Sequence, residues 1–281
     1  MKITVAKSAG FCSGVRRALT IALTTARENK RVQMLGDIVH NEDVVKTIKQ
    51  TGIRKILRLQ KGTDKILLIR AHGAPKKIFE RAQQHGYTII DATCPMVKEI
   101  HKIAQQAEQK RCRVFIIGDK KHDEVKGIIG NLRKKAIVID APASIPRKKI
   151  IGIKEARVVV QSTQNIDNVI AIVEALKKTI PHVTFFNTIC NPTRIKQKEA
   201  RSMPLQNDAM IIVGSKTSAN TKRLYEISKM LNKKSFWIQS KQDIKPQWFK
   251  GIKTVGVTSG ASTPDSTTEK VIKRIKQLTK K

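Results

Sequence analysis

At 281 residues, with no apolar run near the roughly 18 needed to span a membrane, the chain is long enough to bury a core without disulfide staples. It carries 56 Lys and Arg against 22 Asp and Glu, a formal charge of +34. Four cysteines without a C-x-x-C pair exclude a disulfide framework, and the weakly apolar residues before Lys7 are not expected to act as a signal peptide; both point to a soluble cytoplasmic protein.

In chain order, residues 1–7 read as a strand and 11–28 as a helix whose apolar stripe is Val15, Ala18, Leu19, Ala22 and Leu23. A strand over 32–36 runs into a polar loop, and the helix over 42–50 stops at Thr51-Gly52. The strand over 65–70 leads into Ala71-His72-Gly73-Ala74-Pro75 and a helix to about His85. The middle third adds a strand over 87–90, a helix over 96–110, a strand over 113–118, a helix over 125–132 and strands over 136–140 and 157–161. Residues 141–149, with two prolines, read as a loop between those last two strands, and 166–179 as a helix. The last third begins with a strand over 183–186 and a helix to about Ser202. Strands over 209–214, 235–238 and 254–258 follow, with helices over 222–231 and at the C-terminus. Strand-then-helix alternation means an α/β fold with mostly parallel sheets and crossover helices.

Three cysteines share one setting. Cys12, Cys94 and Cys190 each follow a strand and precede a helix, one in each third of the chain. A helix N-terminus favours a thiolate. The pattern predicts three related modules around a shared centre, with boundaries at 13–93, 94–189 and 190–281 and residues 1–12 packing on the last. Three converging thiolates suit a 4Fe–4S cluster with one open iron, or a Cys₃ zinc site. Cys112 begins a strand instead of following one, so it is expected at the opposite edge of its sheet, away from any ligand set.

Sites in parallel sheets lie at the carboxyl ends of the strands. The candidates gather there: His40, His72, His122 with Glu124, Ser162 with Thr163, Ser218 with Asn220, and Ser262. Each loop leads to a helix N-terminus, a natural anion site. Six such loops, three with histidine, predict a pocket for a multiply charged phosphate. The basic residues, by contrast, are scattered in pairs such as Lys233-Lys234 and Lys280-Lys281, and aromatics are only 4%. That pattern reads as a solvated basic surface, with a basic α/β nucleic-acid-binding protein as the alternative.

Eight segments, in order, resemble one known family: Ala9–Ala18 (AGFCSGVRRA), His40–Val45 (HNEDVV), Arg70–Pro75 (RAHGAP), Asp91–Val97 (DATCPMV), His122–Gly127 (HDEVKG), Cys190-x-x-Thr193, Gly214–Asn220 (GSKTSAN) and Gly256–Ser262 (GVTSGAS). Together they look like the LytB-type 4-hydroxy-3-methylbut-2-enyl diphosphate reductases. The resemblance implies three pseudo-symmetric α/β modules around one 4Fe–4S cluster held by Cys12, Cys94 and Cys190. It implies reductive removal of an allylic hydroxyl to give isopentenyl and dimethylallyl diphosphate, the last step of the non-mevalonate isoprenoid pathway. The electrons would come from flavodoxin or ferredoxin. It further implies that His40, His72, His122, Ser162, Thr163, Ser218, Asn220 and Ser262 bind the diphosphate substrate and that Glu124 relays protons. Three positions depart from the family pattern. Asp123 stands where proline is usual, Ser162 replaces a threonine, and Ala219 replaces a serine, leaving only its backbone N–H for phosphate.

Overall fold

The computed structural model describes residues 1–62 and 64–279; the basic pair Lys280-Lys281 lies outside the described residues. The first third contains β1 (Lys2–Val5), α1 (Ser13–Glu28), β2 (Val32–Leu35), α2 (Glu42–Gln50), β3 (Arg54–Ile56), β4 (Lys65–Ile69), α3 (Lys76–Gln84) and β5 (Tyr87–Asp91). The second contains α4 (Pro95–Gln109), β6 (Arg113–Ile117), α5 (Asp123–Gly130), β7 (Ile137–Ile139), α6 (Arg147–Ile150), β8 (Glu155–Val160), α7 (Ile166–Lys177) and β9 (His182–Phe185). The third contains α8 (Asn191–Ser202), β10 (Ala209–Val213), α9 (Ala219–Leu231), β11 (Ser235–Ile238), β12 (Thr254–Ser259) and α10 (Asp265–Leu278).

The strands form three four-stranded sheets, ordered β3-β2-β4-β5, β7-β6-β8-β9 and β11-β10-β12-β1. Every pairing is parallel, as the strand–helix alternation requires. The three orders are one pattern. In each, the strand at one edge (β5, β9 or β1) is the one whose continuation reaches a cysteine and a helix. The edge strand of the last sheet is β1, registered with β12 from Lys2↔Thr254 to Val5↔Val257.

Side-chain alternation sends each central strand into two cores. In β6 and β8, Phe115, Ile117, Val158 and Val160 pack with Val169, Ile172 and Leu176 of α7. Their neighbours Val114, Ile116 and Val159 face Ile100 and Ala104 of α4 and Val125 and Ile128 of α5. In β10, Ile211 and Val213 face Val271 and Ile275 of α10, while Met210 and Ile212 face Leu224 and Ile227 of α9. Both faces are covered, so these strands read as unbroken apolar runs. Each fully buried Ile or Val contributes about 1.5–3 kcal/mol.

By compactness the chain divides into two units. One comprises Met1–Arg16, Val39–Thr47 and the stretch from Asn191 on, and holds the β10 sheet; the other comprises Arg17–Ile38 and Ile48–Cys190, and holds the β4 and β6 sheets.

Some elements differ from the sequence reading. β3 was not expected, because Arg54 and Lys55 break its apolar pattern and it lies at a sheet edge. The expected loop over 141–149 contains a short 3₁₀ turn and the start of α6. Helix α5 starts at Asp123, not Val125, because the His122 side chain caps it. Helix α9 starts at Ala219, not Lys222, capped by Ser218. Glu124, Ala219 and Asn220 are therefore first-turn helical residues with fixed directions.

Candidate functional site

In the larger unit, the sequence candidates meet at the carboxyl ends of β4, β6 and β8. Cys94 sits at the N-cap of α4 with Pro95 in the first turn. Its N–H donates to Ala71 O (3.0 Å), and its own carbonyl accepts from Val97 N and Lys98 N. The turn before it is braced by Asp91, whose carboxylate accepts from Thr93 N (2.9 Å) and pairs with Lys98 (2.6 Å). Burial works to raise the Asp91 pKa, but the bonds from Lys98 and Thr93 outweigh it and hold the carboxyl below its ordinary value. His72 follows Ala71, and its ring meets His122 edge-on with centroids 5.4 Å apart.

His122 Nδ1 accepts from Glu124 N (3.2 Å), so Nδ1 carries no proton and a neutral ring holds its proton on Nε2. Glu124 is 2% exposed. Its carboxylate accepts from Ser162 N (2.6 Å) and from the Ser162 hydroxyl (2.8 Å). Burial raises the Glu124 pKa, and the two Ser162 bonds oppose that rise. Ser162 O in turn accepts from Cys190 N (3.1 Å). Thr163 is one residue further on, its hydroxyl accepting from Gln161 Nε2 (3.2 Å). One run of contacts thus links Glu124, Ser162 and Cys190.

Asp123, one of the family departures, has a visible role. Its carboxylate pairs with Arg70 (2.7 Å), tying the strand end before His72 to the first turn of α5. Ser162, the second departure, keeps the hydroxyl that reaches Glu124.

In the other unit, Cys12 N donates to Ala261 O (3.1 Å), and Val15 N approaches Cys12 Sγ at 3.4 Å. Beside Ala261, the Ser262 hydroxyl donates to His40 O (3.0 Å). Asn41 Oδ1 then caps α2 by accepting from Val44 N (3.1 Å). Ser218 caps α9 by accepting from Thr221 N (3.3 Å). A side chain at Gly214 or Gly260 would run into Thr221 Oγ1, at 2.6 and 2.0 Å, so glycine lets both loops close on that threonine. Asn220 is 4% exposed, and among the described residues neither its amide oxygen nor its nitrogen has a protein partner. A buried amide in that state costs about 1–3 kcal/mol. Ala219, the third departure, has only backbone to offer at the first position of α9.

The structure therefore groups His72, His122, Glu124, Ser162, Thr163, Cys94 and Cys190 in one unit. It groups Cys12, His40, Ser218, Ala219, Asn220 and Ser262 in the other. Cys112 is buried beside β6, its thiol 3.1 Å from Glu155 Oε1; burial and that carboxylate push its pKa up.

A family model described as LytB protein matches residues 3–276. The chain belongs to the LytB family. A 4-hydroxy-3-methylbut-2-enyl diphosphate reductase from Geobacter metallireducens is 37% identical over 99% of this chain and 98% of its own. The like-named protein of Aquifex aeolicus is also 37% identical, over 98% and 96%. A solved structure titled as (E)-4-hydroxy-3-methyl-but-2-enyl diphosphate reductase, the terminal enzyme of the non-mevalonate pathway, is similar over 99% of this chain and 100% of that one (36% identity, TM-score 0.73). The E-1-hydroxy-2-methyl-but-2-enyl-4-diphosphate reductase of Plasmodium falciparum matches with TM-score 0.90 at 28% identity, over 98% and 88%. None of these relatives supports the nucleic-acid alternative.

Sequence reasoning missed two residues of this LytB chain. His101 lies on α4, and a Cβ on Gly73 would come within 3.1 Å of its ring and one on Gly127 within 3.4 Å. Its Nε2 is buried without a partner, and burial lowers its pKa to about 4 against an opposing pull from Asp91. Lys196 lies in α8, 1% exposed. The sequence carried no signal for it, since α8 is polar on every side; the structure buries the face of Thr193, Lys196, Gln197 and Ala200.

Proposed function

We propose that the chain is a 4-hydroxy-3-methylbut-2-enyl diphosphate reductase, removing the allylic hydroxyl to give isopentenyl and dimethylallyl diphosphate. Two electrons and two protons enter; one proton leaves in the water formed and the other ends on the allyl carbon. The observation that carries this reading is Glu124, a buried carboxyl held by Ser162 in direct continuity with Cys190.

A 4Fe–4S cluster on Cys12, Cys94 and Cys190 belongs to the same reading. The donor set fits: each thiol stands at the start of a helix, Cys12 has a backbone N–H aimed at its sulfur, and all three are partly exposed whereas Cys112 is buried. When bound, the cluster would supply the electrons and a Lewis-acidic iron. The protein supplies the rest. Its helix N-termini and the side chains of His40, His72, His122, Ser162, Thr163, Ser218, Asn220 and Ser262, with the Ala219 N–H, bind and orient the diphosphate. Asn220 has donor and acceptor both uncommitted for that purpose. Glu124, its pKa raised by burial, holds the proton that goes to the leaving hydroxyl. The Ser162 hydroxyl keeps the carboxyl pointed and can pass a proton to it.

The module boundaries belong here too: 13–93, 94–189 and 190–281, with 1–12 on the third. The repeated strand order supports them. An acidic flavodoxin or ferredoxin suits a chain of charge +34 as electron donor. Among the described residues no helix is long and apolar enough to cross a membrane. Thiolates serving a redox cluster call for a reducing compartment, which supports a cytoplasmic location.

The test is iron and acid-labile sulfide content after anaerobic purification, with turnover of the diphosphate substrate under a low-potential reductant. About four irons per chain and both products are expected. A protein that binds no iron after reconstitution would sink the reading.

A further inference from the structure

The buried cation Lys196 is unexplained by the reaction just described. An ammonium offers three protons. Here Nζ donates to three main-chain carbonyls: Ser8 O, Gly10 O (3.1 Å) and Ser259 O (3.0 Å). These oxygens come from the loop before Cys12 and the end of β12. The same loop is gripped at other points. Glu199, one turn further along α8, accepts from the N–H and hydroxyl of Ser8, and Gly10 N donates to Ser259 Oγ (2.6 Å). Gly10 itself has φ +94°, and a Cβ there would overlap the Asp265 carboxylate. The backbone two residues before Cys12 is therefore fixed from three sides, with Lys196 underneath.

A clamp on carbonyl oxygens does not need a charge. Neutral donors would do it without the several kcal/mol that removing an ammonium from water costs. The three carbonyl dipoles offset part of that cost, and a nearby anion would offset more of it. Nζ lies 3.1 Å from Gly10 O, two residues before Cys12, so the buried charge sits inside the loop that presents this thiol. The cation is thus placed in the loop that leads to Cys12.

We propose that Lys196 is a positioning residue for the iron–sulfur centre: it fixes the loop from which Cys12 reaches the cluster and holds a buried positive charge in that loop, two residues before the thiolate, raising the cluster's reduction potential. This rests on the cluster reading above.

Three full-length variants separate the roles. Lys196→Arg keeps the charge and donors, Lys196→Gln keeps donors without charge, and Lys196→Met keeps neither. Each is reconstituted anaerobically beside the wild type; iron per chain, the cluster's reduction potential and the melting temperature of the apoprotein are measured. A wild type without iron would condemn the cluster reading itself, whatever the variants do. With the wild type loaded, Lys196→Gln and Lys196→Met should hold their clusters at a more negative potential, and Lys196→Arg should restore it. Folded Gln and Met variants that lose iron while Arg retains it also support the assignment. Gln or Met with full iron and an unchanged potential would overturn it. So would failure of both to fold, since Lys196 would then be a structural clamp alone.

Discussion

Ser162 holds Glu124 by both of its hydrogens: its N–H meets one carboxylate oxygen at 2.6 Å and its hydroxyl meets the other at 2.8 Å. The grip fixes where the acid points. It also works against the burial that raises the acid's pKa. Glu124→Gln preserves shape and removes the titrating group. It should keep iron and bind substrate yet lose at least about a hundredfold in turnover. Turnover near the wild-type rate with the cluster intact would move the proton source elsewhere.

Ser162→Ala removes only the hydroxyl bond. That bond lowers the Glu124 pKa, so its loss raises the pKa further, and the limb of the pH–rate profile owed to Glu124 should move to higher pH. A hydrogen bond to a charged group is worth about 1.5–3 kcal/mol, so a fall in turnover of roughly tenfold or more is expected. Ser162→Thr should restore both position and rate. A profile that does not move in Ser162→Ala would separate the hydroxyl from the acid.

Asn220 predicts an exchange between stability and binding. Its amide is buried with no protein partner among the described residues, so it destabilises the apoprotein. Asn220→Ala should raise the apoprotein melting temperature by removing that unpaired amide, while raising KM for the diphosphate roughly tenfold or more. A large drop in melting temperature with unchanged KM would show that the amide serves the fold.

His101 predicts an acid limb in stability. Its pKa falls from 6.5 in the unfolded chain to about 4 in the folded one. Between those values the unfolded state binds the proton and the folded state does not. Stability is therefore lost as pH drops from about 6.5 to about 4, by up to about 3 kcal/mol. His101→Gln should flatten that part of the melting profile, and the two curves should run parallel below pH 4. Parallel curves throughout would mean His101 is protonated in the fold.

Cys112→Ser should retain the full iron content, because that thiol is buried at the amino end of β6 against Glu155. Serine at Cys12, Cys94 or Cys190 should lower it sharply. Iron loss in Cys112→Ser would reassign the ligands.

What the sequence determined by itself was the local pattern of the covered strands and of most helices. Apolar periodicity places β4, β6, β8 and β10, because a strand covered on both faces must be apolar at every position. The cysteine–helix junctions are legible because Pro95 and the apolar stripe of α4 mark a helix start without knowledge of the neighbours. The tertiary structure alone decided how polar groups are used once buried. Glu124 and Ser162 lie 38 residues apart and Lys196 lies 188 from Ser8, distances over which no periodicity carries information. Hydrophobic burial is non-directional and leaves its mark along each segment; hydrogen bonds are directional, and their partners are chosen only when separate segments have packed. That is why α8 reads in the sequence as an unremarkable polar helix, and only the folded chain reveals that its lysine faces inward, beneath the loop that carries Cys12.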